Sequence, residues 1–179
     1  MWAILLGALH LDEACGKRRC RASPQIIAAI VTSTYHLAQY NIARLVAPLD
    51  DPQLAPFMDA LDRLNFLADD SEGFVWRHQT PEGNSTSVRV RGDSMIVINF
   101  SVWATIDSLF HYAYYSDHAE IYRRRKEFFE PSDLSSLVLW WIPAAHIPSV
   151  EEAEERLDHL REHGPTQHAF TFKRCYPAP

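Results

Sequence analysis

A chain of 179 residues with 47% hydrophobic side chains, 22% charged side chains and a formal net charge of -6 has the length of one domain and the composition of an ordinary soluble globular protein. The acidic balance argues against nucleic acid as the main partner, because phosphate binding needs a basic footprint, and the run Arg123 to Lys126 occupies consecutive helical positions that radiate to different sides. Three cysteines, Cys15, Cys20 and Cys175, are too sparse for a disulfide framework and point to a reducing cytoplasm, while the apolar opening Trp2 to Leu9 is too short to cross a membrane and lacks a signal peptide's basic start.

The first 33 residues carry the basic cluster Lys17, Arg18, Arg19 and Arg21 and an isolated apolar patch from Ile26 to Val31, and they read as an appendage: a short extra helix, a disordered arm, or translated sequence upstream of a domain that starts near Thr32 to Thr34. From Tyr35 to Ile42 polar and apolar residues alternate as in a strand. After the turn residues Pro48 to Pro52, Leu54, Phe57, Met58, Leu61, Leu64 and Leu67 recur three or four apart, which predicts a helix ending near Asp70. Gly73 breaks it. A second strand is expected over Phe74 to Gln79, interrupted at Pro81 to Asn84 and resumed over Thr86 to Val90. The third, Met95 to Trp103, is apolar on both faces except for Asn99 and Ser101, as suits the middle of a covered sheet.

A second helix is expected over Ile106 to Tyr114, restarting at Asp117, whose spacing to Glu120 is that of a capping box, and running to Phe129. Strand four is Leu137 to Ile142. Ser149 and Glu152 then form an S-x-x-E capping box that opens a helix stopped by Gly164 and Pro165, and a short strand, Ala169 to Lys173, closes the domain. The order strand, helix, strand, strand, helix, strand is the split βαβ arrangement of a ferredoxin-like α+β fold, an antiparallel sheet with helices on one face, strands one and three central and strand four at an edge. An edge reading Leu-Val-Leu-Trp-Trp-Ile is an aggregation hazard if bare, so a second copy of the chain is expected to cover it as a homodimeric α/β barrel.

A set of motifs in order, His36-Leu37-Ala38-Gln39-Tyr40-Asn41, Gly73-Phe74-Val75-Trp76-Arg77, Asn99-Phe100-Ser101-Val102-Trp103, Tyr115-Ser116-Asp117-His118, Leu139-Trp140-Trp141-Ile142-Pro143-Ala144 and Ala169-Phe170-Thr171-Phe172, resembles the family called domain of unknown function 3291. The resemblance covers Tyr35 to Pro177. It implies membership of the dimeric α/β-barrel superfamily, alongside antibiotic-biosynthesis-type monooxygenases, haem-degrading enzymes and spheroidene monooxygenase, and it carries no catalytic assignment. Two positions depart from the family's pattern, Ala145 for a usual glycine before His146 and Ala104 for a frequent acidic residue after Trp103, so no site role is carried through them.

The candidate residues each have a structural and a functional reading. His118 stands at the first turn of the restarted helix, whose positive end favours a neutral imidazole able to accept a proton or bind a metal; otherwise it satisfies a turn. Asn99 lies on one face of strand three with Val97, Ser101 and Trp103, where a carboxamide either orients a ligand oxygen or bonds a neighbouring strand or Asn41. Trp76, Trp103, Trp140 and Trp141 supply core or an aromatic surface for an apolar or aromatic small molecule, Arg77 is solvated or clamps a carboxylate, and His146 sits in the loop after strand four as a turn or binding residue. No phosphate loop, nucleophile elbow, dinucleotide fingerprint or paired-cysteine metal site is present. Two functions stand: a monooxygenase-like enzyme (oxygenase, isomerase or cyclase) using His118 and Asn99, without cofactor or with haem on His118, and a non-catalytic dimeric binding module.

Overall fold

The computed structural model describes residues 34–115 and 123–179. The expected appendage, residues 1–33, and the expected helix restart with Asp117 and His118 lie outside the described residues.

Four strands, β1 (Tyr35–Arg44), β2 (Phe74–Arg77), β3 (Ile96–Trp103) and β4 (Leu137–Pro143), make one antiparallel sheet in the order β2-β3-β1-β4. This is the split βαβ sheet expected from the element order, with β1 and β3 central. The crossover helices are α1 (Ala55–Asp69) and α2 (Ile106–Tyr115), and α3 (Val150–His163) follows β4. In α1, Phe57, Leu61, Leu64 and Ala68 are buried at spacings of four, three and four, the stripe that faces a sheet. The chain turns out of α1 at Gly73, whose φ of +77° belongs to the left-handed region.

Register decides which side chains share a face. Pairing Asn41 with Asn99 and Gln39 with Ser101 puts the odd-numbered residues of β1 and β3 on one side, and Tyr40 with Phe100 puts the even-numbered ones on the other. The odd face meets the crossover helices: Ala43 and Val97 pack with Phe57, Leu61 and Leu64 of α1, and Leu37 and Trp103 pack with Leu109, Tyr112 and Ala113 of α2. The even face carries Ala38, Tyr40, Ile42, Ile98, Phe100, Val102, Val138 and Trp140, which pack against Ala153, Leu157 and Leu160 of α3. Helices on one face is therefore right for the two crossovers, and α3 adds a third layer on the opposite face.

Ser149 caps α3 through a bond from the Glu152 amide to its hydroxyl at 3.2 Å, as the S-x-x-E signal predicts. The carboxylate of Glu152 makes its contacts elsewhere. Arg91 and Gly92, with φ of +55° and +68°, form the centre of a tight turn from Val90 to Asp93, a type I′ pattern. The Arg91 guanidinium reaches Glu154 and Asp158 of α3, both at 2.7 Å, and so holds this turn against the third layer.

Three expected segments differ. Residues 86–90 do not resume strand two; β2 ends at Arg77 and only Val90 makes a bridge, to Asp93 within its own turn. The helix expected to run to Phe129 gives way to a 3-10 turn, Arg125–Glu127, and Phe129 bridges Leu45, because Phe128 and Phe129 are buried against Phe57 of α1. The closing strand is reduced to bridges, Leu139 with Phe170 and Thr171 with Arg174.

That first bridge changes the argument for a partner chain. The amide of Leu139 donates to the Phe170 carbonyl and the amide of Phe170 to the Leu139 carbonyl, both at 2.8 Å, so the free edge of β4 is capped at its middle by the chain's own C-terminal segment. Leu137, Val138, Leu139, Trp140 and Ile142 are all buried within the single chain. Among the described residues the apolar strand is thus covered within the chain, and its edge does not by itself call for a second copy.

Candidate functional site

A continuous polar strip runs through the odd face beneath the crossover helices. Trp103 Nε1 donates to Ser101 Oγ (2.9 Å), Ser101 Oγ donates to Gln39 Oε1 (2.8 Å), and Gln39 Nε2 donates to Asn41 Oδ1 (2.8 Å), with a longer contact to the Asn99 carbonyl (3.5 Å). Every step points the same way, so each bond polarises the next. The strip ends on donors. Asn41 Nδ2 and Asn99 Nδ2 are buried and, among the described residues, meet no acceptor. Asn41 and Asn99 are directly opposed on neighbouring strands, where same-face side chains lie about 5 Å apart at Cβ. Burying an unpaired amide costs roughly 1 to 3 kcal/mol, and two side by side are the arrangement that a carbonyl or oxyanion would complete.

Asn99 also lines a shallow cleft that opens to solvent beside the edge of β3, where β2 stops. Leu61 and Asn65 of α1 form one wall, Arg77 and His78 another, and the loop residues Asn84, Ser85 and Thr86 a third. Its enclosed part has room for little more than a water molecule. Partial burial pushes the His78 imidazole below its ordinary pKa, and its Nδ1 lies 3.2 Å from Ser85 Oγ. A neutral ring at the rim of a cleft is able to take a proton.

The expected site residues divide between the two faces. Asn99, Arg77 and Trp103 belong to the polar strip and cleft side. Arg77 does clamp a carboxylate, but an internal one: its Nε and Nη2 meet the two oxygens of Asp69 at 2.8 and 3.2 Å, and Nη1 donates to the Gly83 carbonyl. It ties the end of α1 to β2 and to the cleft loop. Trp103 is fully buried against Tyr112. Trp141 lies on the same side further out, half-buried, its Nε1 donating to the Tyr176 carbonyl in the C-terminal segment at 2.8 Å.

Trp76 and Trp140 face the other way, both packing on Phe100 with ring centroids 5.4 and 5.8 Å away. The four tryptophans therefore do not make one aromatic surface. Trp140 and His146 do converge, on Glu152: the Trp140 Nε1 bond to Oε1 is 2.9 Å and His146 Nε2 lies 2.6 Å from Oε2. This is an anchoring point for α3, distant in register from Asn99. His118 lies outside the described residues.

Gln39 was missed, and Ser101 and Asn41 were read only as neighbours of Asn99. Their signal was present, since two polar residues two apart in each strand, Gln39 and Asn41 in β1 and Asn99 and Ser101 in β3, mark one face, but only the register shows that the two faces coincide. Also missed were Glu155, His159 and His168, which bring one carboxylate and two imidazole ligand atoms within 4.8 Å of one another at the far end of α3.

The family described as Domain of unknown function (DUF3291) matches residues 36–179. Among proteins of curated function none matches. Similar solved structures include a conserved protein from Methanosarcina mazei Go1 (16% identity, TM-score 0.40, covering 63% of this chain and 95% of that one). They also include SnoaB, a cofactor-independent oxygenase from Streptomyces nogalater (11% identity, TM-score 0.41, 64% and 96% covered), and PA3566 from Pseudomonas aeruginosa (13% identity, TM-score 0.41, 63% and 95% covered). At such identity a functional reading has to come from this chain's own residues.

Proposed function

The chain belongs to the family described as Domain of unknown function (DUF3291), and from its geometry we propose a small-molecule enzyme of monooxygenase-like type, an oxygenase, isomerase or cyclase, acting on an apolar or aromatic substrate that carries a carbonyl or phenolic oxygen. The observation that supports this is the pair of buried carboxamides, Asn99 and Asn41, whose Nδ2 groups meet no acceptor among the described residues at the end of a polarised hydrogen-bond strip, with Asn99 at the wall of a cleft. Donors fixed in a dry site stabilise an oxyanion more in the transition state than water does, because they need not reorganise as charge develops. In this reading Asn99 and Asn41 hold the substrate oxygen as it gains charge, and the proton released goes to His118. Trp103 holds the strip in line, and Arg77 fixes the cleft loop. The proposed setting is the cytoplasm, and the proposed assembly a homodimer, for which sedimentation should give about twice the 20.6 kDa chain mass.

The competing reading is a non-catalytic binding module. It is favoured by the structural engagement of the indole N–H groups of Trp103, Trp140 and Trp141, none of which is left for a ligand. One experiment separates the two. Purified protein is extracted and whatever it retains is identified by mass spectrometry, then phenolic and aryl-ketone compounds are screened for turnover with and without oxygen. Asn99→Leu is expected to lower kcat by about 100-fold or more, the loss typical for an oxyanion donor, and His118→Ala to remove turnover. If compounds bind and Asn99→Leu weakens binding but no turnover is found, the enzyme reading is wrong and the module stands.

A further inference from the structure

We propose that Glu155, His159 and His168 form a binding site for a divalent cation of the zinc class, and that the bound ion clasps the C-terminal edge cap onto α3. Glu155 and His159 are four residues apart on α3 and so share a helix face, and the turn at Gly164, with φ of +71°, brings the chain back to set His168 against them. His168 Nε2 lies 2.9 and 3.1 Å from the two oxygens of Glu155, and the rings of His159 and His168 have centroids 4.6 Å apart. All three ligand atoms lie within 4.8 Å of one another. Donors on a tetrahedral zinc at about 2.0 to 2.2 Å stand roughly 3.4 Å from each other, so the Glu155 and His168 pair is already at ligand spacing. The His159 ring, which now contacts Thr166 Oγ1 at 3.1 Å, has to turn inward, and the His168 ring has to rotate slightly away from Arg156.

Two imidazoles and a carboxylate select the ion. Magnesium and calcium take oxygen donors, whereas imidazole suits zinc and its first-row neighbours, and three protein ligands leave the fourth position to water. Glu155 and His168 are more than two-fifths exposed, so the ion has a path in. The opposing charge is Arg156, which contacts His168 Nδ1. The same guanidinium also donates to the His168 carbonyl at 2.9 Å, a partner it keeps when the ring rotates toward a metal.

The consequence follows from chain position. Ala169 and Phe170 come directly after His168, and Phe170 is the residue that caps β4 at Leu139. An ion joining His168 to α3 therefore restrains the segment that covers the apolar edge.

The test uses the full chain with Cys15→Ser and Cys20→Ser as the parent, so that thiols outside the described residues do not bind the probe. Metal is stripped with chelator, zinc chloride is added, and retained zinc is counted by elemental mass spectrometry after desalting. One zinc per chain is expected in the parent, with affinity at least tenfold lower in each of His159→Ala, His168→Gln and Glu155→Gln. Zinc should raise the melting temperature and slow hydrogen exchange at the Leu139 and Phe170 amides in the parent only. Unchanged melting of the metal-free variants establishes that they are folded; for any that is not, the exposed His168→Gln substitution decides. No retained zinc in the parent, or equal zinc in the parent and His168→Gln, overturns the site. Retained zinc without slowed exchange at Phe170 overturns the clasp.

Discussion

Replacing Asn99 with leucine, a side chain of nearly the same shape, tests whether its carboxamide is there for a ligand or for the fold. Its Nδ2 is buried and meets no acceptor among the described residues, and an unsatisfied amide costs about 1 to 3 kcal/mol. The strip itself does not pass through the Asn99 side chain: Gln39 reaches the Asn99 backbone carbonyl, which the substitution retains. Leucine would also add apolar contact next to Leu61 in the cleft wall. The expected result is a gain of about 1 to 2 kcal/mol, read as an increase of about 2 to 6 °C in melting temperature for a chain of this length. Asn41→Leu is the internal control. It relieves a buried donor of the same kind but also removes the acceptor of the Gln39 Nε2 bond, leaving Gln39 with only the 3.5 Å contact, so it should gain about 1 kcal/mol less than Asn99→Leu. Both are measured by thermal and urea unfolding monitored by circular dichroism, using the midpoint at constant slope. If Asn99→Leu destabilises by more than about 1 kcal/mol, the carboxamide is a structural partner and the idea of a donor held ready for substrate fails.

Other substitutions probe the frame around the site. Gly73→Ala should destabilise by at least about 1 kcal/mol, because an added Cβ sits 2.7 Å from Ser108 Cβ at a φ of +77°; Ser108→Ala in the same chain should not rescue it, since the Cβ is the obstacle. Phe170→Ala removes a fully buried ring from the edge cap and should cost about 3 kcal/mol, with concentration-dependent aggregation seen by light scattering as β4 is uncovered. For His78, desolvation lowers the folded pKa below the ordinary 6.5, so the unfolded chain binds the proton first. The stability of the neutral ring is thus fully present above 6.5 and is lost as pH falls through the depressed folded value, and His78→Asn should flatten that part of a stability-against-pH curve. An unchanged curve would mean that the ring is not desolvated.

Much of the frame was legible along the chain. Local signals carried the elements: the three-four spacing of Phe57, Leu61 and Leu64, the stop at Gly73, the Ser149 cap and the Gly164 turn each act within a few residues, and their order alone specifies the split βαβ sheet with β1 and β3 in the middle. Tertiary contacts took over where local signals were weak. Residues 86–90 alternate like a strand, yet Arg91 anchors their turn to α3, and the pull of Glu154 and Asp158 outweighs a short run of β propensity.

The sequence by itself determined the elements, their order and the parity of each strand, because these depend on periods of two and 3.6 residues that any window of the chain displays. Only the tertiary structure decided which parity of one strand meets which of the next, and a shift of one residue would have put Asn41 and Asn99 on opposite faces. It also decided that α3 closes the second face and that Phe170 caps β4 at its middle. Those outcomes depend on contacts between residues 12 or more apart in the chain, whose pairing leaves no periodic trace in either partner's neighbourhood.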